Sequence, residues 1–134
     1  MKVFIAADME GITGVVHWPQ PTKGGRELSD DENQRQQMTI DLNTVIKGAR
    51  SAGADEFAIL DFHGSSPPRP NLRLKDIDSE TNLLSGHGHF GLRQDVLEEG
   101  YDAMFIVGMH AMDGVADGIL SHNFTSTFRE IYFN

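Results

Sequence analysis

Acidic and imidazole side chains follow three short apolar runs of this chain, and together they have the chemistry of a metal site. Asp8 and Glu10 follow the first run, His63 follows the second, and His110 follows the last. Asp8 and Glu10 are two positions apart, so they lie on one face of an extended chain and both carboxylates can point at one cation. Two carboxylates and two imidazoles suit zinc, manganese or iron, and a bridging carboxylate is typical of two-metal hydrolytic sites.

Each of these residues also has an ordinary structural interpretation. Asp8 could cap a turn at the strand end, Glu10 beside Gly11 could be solvated, and a lone histidine in a loop is usually not a ligand. Their joint occurrence at three strand ends is what favours a shared site. Asp61 is expected either to be structural or to orient His63 through the ring N–H.

Further histidines lie later in the chain. His122 follows the glycine-rich connection 113–118, which returns it toward His110, so one imidazole can bind metal while the other acts on substrate. His87 and His89 have the same chemistry but are expected to be exposed loop residues. The connection matches neither a Walker pattern nor the dinucleotide motif GxGxxG, which disfavours nucleotide binding.

Alternating strands and helices must position these side chains. Apolar runs without polar alternation indicate strands that are covered on both faces. The predicted strands are Val3–Ala7, Glu56–Asp61, Thr81–Ser85 and Ala103–Gly108. A Ser29–Glu32 capping box followed by apolar residues at helical spacing predicts a long helix that ends at Gly53, and a second helix is predicted over 92–99. This order predicts a single α/β domain, residues 1–134, with a mainly parallel sheet and antiparallel or edge strands in the tail 119–134.

Composition excludes several classes of protein. The 134 residues carry 11 basic and 20 acidic side chains, a net charge of -9, which disfavours nucleic acid as a partner. The absence of cysteine excludes a disulfide scaffold, an iron–sulfur cluster, a thiolate zinc site and a cysteine nucleophile. No apolar run approaches the roughly 20 residues of a membrane span, so the protein is expected to be soluble and cytoplasmic, with no membrane partner.

Several motifs resemble the zinc-dependent D-aminopeptidases of the DppA type, in family order along the whole chain. They are the opening run 3–16 with Asp-Met-Glu-Gly-Ile-Thr-Gly, the runs 61–65, 84–86 and 105–111, and the pair Ser121-His122. The resemblance implies αβα layers and two zinc ions bridged by Asp8. It implies Glu10, His63 and His110 as further ligands. It also implies that His122 acts directly on the substrate, as nucleophile or acid/base.

Two departures from the family pattern bear on function. Phe62 stands between Asp61 and His63 where the family usually has a serine. Family members also continue for roughly as many residues again, and just after the strand matching 131–134 they carry a Gly-Glu pair whose glutamate completes the metal site. The family assembles into large rings, which implies a homo-oligomer.

The leading hypothesis is a metallo-aminopeptidase that hydrolyses short peptides with an N-terminal D-amino acid, through a metal-activated water or through His122. The alternative is a truncated, catalytically inactive metal-binding or assembly module of the same family. A nucleotide-dependent α/β enzyme fits the fold pattern only. Because imidazole ligands must be neutral, metal affinity is expected to fall between about pH 7 and 5.

Overall fold

Parallel strands and one long helix make up most of the regular structure in a computed structural model that describes residues 1–17, 32–64, 70–85 and 100–123. The elements are β1 Lys2–Ala7, α1 Glu32–Ser51, β2 Glu56–Asp61, β3 Thr81–Leu84 and β4 Ala103–Val107. The predicted strand 56–61 is confirmed residue for residue, and each of the other three predicted strands differs from the observed one by one residue at one end.

The helix α1 has the amphipathic pattern that its sequence predicts. Its buried residues are Met38, Thr39, Leu42, Ile46 and Ala49. At its carboxyl end, Ala54 N donates to Ala49 O and Gly53 N donates to Arg50 O, both at 3.0 Å. Gly53 has a φ of 95°, which closes the helix in a left-handed turn that other residues rarely adopt. The predicted end of the helix is confirmed, whereas Ser29 of the capping box lies outside the described residues.

The four strands form one parallel sheet in the order β3-β2-β1-β4. The central strand β1 pairs with β2 through Ala7 and Asp61, and with β4 through Ala7 and Val107. Three neighbouring strands therefore end at the same level, and the loops that follow them leave the sheet side by side. The predicted mainly parallel α/β fold is confirmed.

An apolar layer covers each face of the sheet. On one face, Val3, Ile5 and Ile59 belong to the same buried cluster as Met38 and Leu42 of α1. The opposite face carries a second buried cluster, formed by Phe4, Ala6, Ala58 and Leu60. Because each fully buried Leu, Ile or Phe contributes roughly 1.5–3 kcal/mol, the two layers hold the central strands firmly beneath the loops that they support.

Part of the predicted architecture falls on residues that the structure does not describe. The predicted helix 92–99, the histidines at 87 and 89, and the tail beyond residue 123 all belong to this part. Within the described start of the tail, His122 pairs with Met112 in an isolated parallel bridge. None of the helices in the described ranges combines the length and the apolar character that crossing a membrane requires.

Candidate metal centre

Two glycines bring the loops after β1 and β4 into direct contact. Gly11 N donates to Gly108 O at 2.7 Å. A Cβ atom on Gly11 would lie 2.2 Å from Met109 O, and one on Gly108 would lie 2.2 Å from Asp8 O. Gly108 also has a φ of 73°, in the left-handed region that favours glycine. Only residues without a Cβ permit this approach, and it sets the two loops against each other.

Two buried carboxylates and one imidazole form the centre of the site. Asp8 is 3% exposed and Glu10 is 4% exposed, so the interpretation of Glu10 as a solvated residue is wrong. His63 Nδ1 lies 2.9 Å from Glu10 Oε2 and 3.2 Å from Asp8 Oδ1. Asp8 Oδ1 also accepts a hydrogen bond from Met9 N at 2.8 Å, so Asp8 shapes the local turn as well. The three side chains offer ligand atoms that all lie within 4.8 Å of one another.

Two further histidines enclose this centre from the side. His110 Nε2 lies 3.8 Å from Asp8 Oδ2, and His122 Nε2 lies 3.7 Å from Glu10 Oε1. Their rings stack on each other, with centroids 3.6 Å apart and planes inclined by 23°. Each histidine therefore faces one of the two buried carboxylates through the same ring nitrogen.

Main-chain carbonyls determine which nitrogen of these two rings carries the proton. His110 Nδ1 is 2.8 Å from Ala111 O, and His122 Nδ1 is 2.6 Å from Leu120 O. A carbonyl oxygen can only accept, so each Nδ1 must donate, and in the neutral ring Nε2 is then the atom with the lone pair. Leu120 has a φ of 52°, an uncommon conformation for a branched residue, and this turn presents its carbonyl to His122.

All five residues predicted from sequence line one cleft of about 200 Å³. In the part of the chain that the structure describes, the residues lining this cleft are Asp8, Glu10, Phe62, His63, Gly64, His110, His122 and Asn123. The structure thus places the expected side chains together, and their roles as ligands or as a catalytic group stay predictions.

The expectation that Asp61 orients the ring of His63 is wrong. The Nδ1 atom of His63 is bonded to the two carboxylates of the centre, and Asp61 instead accepts hydrogen bonds from Asn71 N, Asn71 Nδ2 and Ser85 Oγ, each at 2.7 Å. Asn71 Nδ2 also donates to His63 O at 2.8 Å. Asp61 is therefore linked to the main chain of His63 through Asn71, a residue for which the sequence offered no signal.

Comparison with known proteins identifies the family of this chain. The profile of the peptidase family M55, described as D-aminopeptidase, matches residues 1–134. The chain belongs to this family. It is 28% identical over 134 residues to a D-aminopeptidase of Bacillus subtilis (strain 168), covering 100% of this chain and 46% of that protein. The resemblance drawn from the motifs is confirmed.

A solved structure gives the same correspondence in three dimensions. It is described as the Zn-dependent D-aminopeptidase DppA from Bacillus subtilis, a self-compartmentalizing protease. The TM-score is 0.79 at 27% identity, with 100% of this chain and 46% of that chain covered. This member of family M55 therefore spans about half the length of the relatives that it matches.

The electrostatics of the site favour a positive charge between the carboxylates. Burial raises the pKa of Asp8, and the adjacent Glu10 raises it further. Burial would also raise the pKa of Glu10, but hydrogen bonds with His63 and Asp8 outweigh it and lower that pKa to about 2. Burial would lower the pKa of His63, whereas its hydrogen bonds with both carboxylates raise it to about 9. Without a metal, a proton on His63 partly neutralises the two acids.

The donor set fits a divalent zinc ion. Two acids this deeply buried need a compensating cation, and carboxylates with imidazoles are ordinary zinc ligands. A zinc ion bound here would compete with the proton on His63 for the space between the two carboxylates.

This competition predicts a pH dependence of metal binding. Because the raised pKa of His63 favours its protonated form, zinc affinity should increase with pH up to about 9, rather than level off near the pKa of an ordinary histidine. Below that value the gain should approach about tenfold per pH unit, as one proton is displaced. Competition with a chromophoric chelator of known pH response would measure it. An affinity that is constant from neutral pH upward would contradict the expectation.

Proposed function

We propose that this chain forms the metal-binding part of a zinc-dependent D-aminopeptidase that hydrolyses short peptides beginning with a D-amino acid. The observation that carries the proposal is the convergence of two buried carboxylates and three imidazoles in one cleft of a family M55 member. The description of the Bacillus subtilis structure as Zn-dependent supports zinc as the metal. Since the chain corresponds to 46% of that relative, the activity is proposed for the whole protein.

Asp8 has the geometry of a bridging carboxylate. Its Oδ1 atom faces His63 at 3.2 Å and its Oδ2 atom faces His110 at 3.8 Å, so its two oxygens serve two different imidazoles. This arrangement supports a pair of zinc ions, as in two-metal hydrolases. We assign Asp8, Glu10, His63 and His110 as the ligands that this chain supplies.

His122 is the group that acts on the substrate in this proposal. When bound, zinc supplies Lewis-acid chemistry, which polarises the peptide carbonyl and lowers the pKa of water. His122 carries its proton on Nδ1, bonded to Leu120 O, and directs Nε2 into the cleft, where it can accept a proton and return it to the leaving amine. Phe62 adds an apolar wall to this cleft.

Metal content measured together with turnover tests the proposal. The whole protein, loaded with zinc, is assayed on a D-alanyl dipeptide, with the L-alanyl dipeptide of the same composition as the matched control. Hydrolysis of the D-alanyl peptide but not of the L-alanyl peptide supports the proposed enzyme. Equal hydrolysis of both peptides contradicts the stereochemical preference, and bound zinc without turnover favours the inactive metal-binding or assembly module.

The ligand assignment predicts which variants lose metal. Asp8→Ala removes the bridging carboxylate and His110→Ala removes one imidazole, so both should retain less zinc by elemental analysis than the unaltered chain. Asp102→Ala is a matched control, because its carboxylate accepts a hydrogen bond from Lys2 N at the opposite end of β1. Unchanged zinc in the first two variants, or an equal loss in the control, would contradict the assignment.

We also propose that the protein works in the cytoplasm as a homo-oligomer on peptide substrates. The description of the Bacillus subtilis relative as self-compartmentalizing supports assembly of several copies. Light scattering coupled to gel filtration measures the oligomeric state directly, and a mass equal to one chain at all concentrations would contradict the proposed homo-oligomer.

A further inference from the structure

A buried asparagine connects the end of β2 to the loop that carries His63. Asn71 is 2% exposed and lies between the Asp61 carboxylate and the His63 main chain. We propose that Asn71 is a positioning residue, which holds the His63 loop so that the imidazole stays directed at Asp8 and Glu10. This inference rests on the proposed metal site and adds a residue to it.

The amide of Asn71 can satisfy this role in one orientation only. Its Nδ2 atom lies 2.7 Å from Asp61 Oδ1 and 2.8 Å from His63 O, and both of these atoms are acceptors. Only the NH₂ end of the amide can donate to two acceptors, so the orientation follows from the partners. The main-chain N of Asn71 donates to Asp61 Oδ2 at 2.7 Å. Both oxygens of the Asp61 carboxylate are therefore bonded to Asn71.

Asn71 is itself held on both sides by α1. Arg35 donates to Pro70 O at 3.1 Å and to Leu72 O at 3.0 Å. Thr39 Oγ1 accepts from Arg73 N at 2.8 Å. The helix thus fixes the backbone that precedes and follows the asparagine, and Asn71 transmits this support to the His63 loop.

The main chain of His63 depends on this support because the sheet ends just before it. Phe62 N donates to Ala7 O at 2.8 Å, which continues the sheet hydrogen bonding past the end of β2. One residue further on, Asn71 Nδ2 bonds the carbonyl of His63 itself. Groups that orient a ligand in this way typically change metal affinity by about 10–100-fold when they are removed.

Zinc affinity of the Asn71→Ala variant tests the proposal. We expect the Kd for zinc, measured by chelator competition on the folded chain, to rise about 10–100-fold. Asn43→Ala is the matched control, because Asn43 anchors the same connection through two hydrogen bonds, to Asp76 O at 2.8 Å and from Asp78 N at 2.9 Å, away from His63. The control should lower the melting temperature while leaving the zinc Kd unchanged.

Two spectroscopic measurements separate positioning from general stabilisation. The visible absorption of the Co²⁺-loaded chain should change in Asn71→Ala and not in Asn43→Ala. In the metal-free chain, the low-field ring N–H signal of His63, protected by its two carboxylate partners, should be lost in Asn71→Ala only. This second signal tests the positioning of His63 even if the unaltered chain binds no zinc. Failure to bind zinc would contradict the proposed function but not the positioning role of Asn71.

A further variant keeps the inference falsifiable if Asn71→Ala does not fold. Ser85→Ala removes the hydrogen bond from Ser85 Oγ to Asp61 Oδ2 and leaves Asn71 in place. We expect zinc affinity to fall in Ser85→Ala as well, but by less than in Asn71→Ala. If both variants fold and both bind zinc with wild-type affinity, the proposal is overturned. If Asn71→Ala is unfolded, wild-type affinity in Ser85→Ala overturns it. An equal loss of zinc affinity in Asn43→Ala would also overturn it.

Discussion

In the catalytically active protein, His122→Ala is expected to lower kcat for a D-alanyl peptide by roughly 10²–10⁴-fold, while the amount of bound zinc stays nearly unchanged. The reason is the position of the ring. His122 comes from the isolated bridge with Met112 rather than from the end of a sheet strand, as His110 does, and its Nε2 atom faces Glu10 at 3.7 Å. Steady-state kinetics and elemental analysis of the same sample measure the two effects together.

His122→Gln provides the control for packing. The imidazole of His122 stacks on His110, so removing it could disturb a metal ligand as well as a proton-transfer group. Glutamine retains much of the volume of the ring but cannot serve as an acid/base at neutral pH. If His122 transfers protons, the glutamine and alanine variants should lose similar activity and keep their zinc. Loss of zinc in parallel with activity would make His122 a ligand, and retained activity would make it structural.

Gly108→Ala is expected to lower the free energy of unfolding by roughly 2–5 kcal/mol and to weaken zinc binding. The new Cβ would lie 2.2 Å from Asp8 O and 2.7 Å from Ile12 Cγ2, and the φ of 73° is unfavourable for alanine. Relief of this overlap requires the loop after β4 to move away from the loop after β1. The carboxylates and His110 would then separate.

Gly114→Ala measures how much the left-handed backbone conformation alone contributes to the loss of stability. Gly114 has a φ of 82°, close to that of Gly108, but a Cβ there would have no atom within 4 Å among the described residues beyond its two chain neighbours. Its substitution should therefore cost about 1 kcal/mol from the left-handed conformation alone and leave zinc binding unchanged. Urea unfolding of both variants gives the comparison. Equal destabilisation by the two substitutions would show that the contact between the loops contributes nothing.

Local patterns were sufficient to predict the elements of this fold. The runs 3–7 and 56–61 lack polar alternation because they lie in the middle of a sheet covered on both faces, so hydrophobicity alone reveals them. The end of α1 at Gly53 is equally local, since a left-handed turn there needs glycine. The positions of Asp8, His63 and His110 just after strand ends predicted their convergence, because parallel strands end at one edge of a sheet.

Interactions between distant segments could not be predicted in this way. Glu10 was open to interpretation as a solvated residue, and its burial depends on loops that come together from residues far apart in sequence. Asp61 was expected to bond the ring of His63, but the ring is already bonded to two carboxylates and Asn71 occupies the space beside Asp61. A hydrogen-bond donor to a main-chain carbonyl has no signature in residue type or spacing.

The amino-acid sequence by itself determined the donor chemistry, the parallel strands and the order in which the site residues leave them. Those properties follow from side-chain type and periodicity, which act over a few neighbouring residues. Only the tertiary structure decided the distances, the protonated nitrogen of His110 and of His122, and the partners of the buried acids. These depend on close approaches such as that of Gly11 to Gly108, nearly 100 positions away, where the absence of a Cβ allows two backbones to touch.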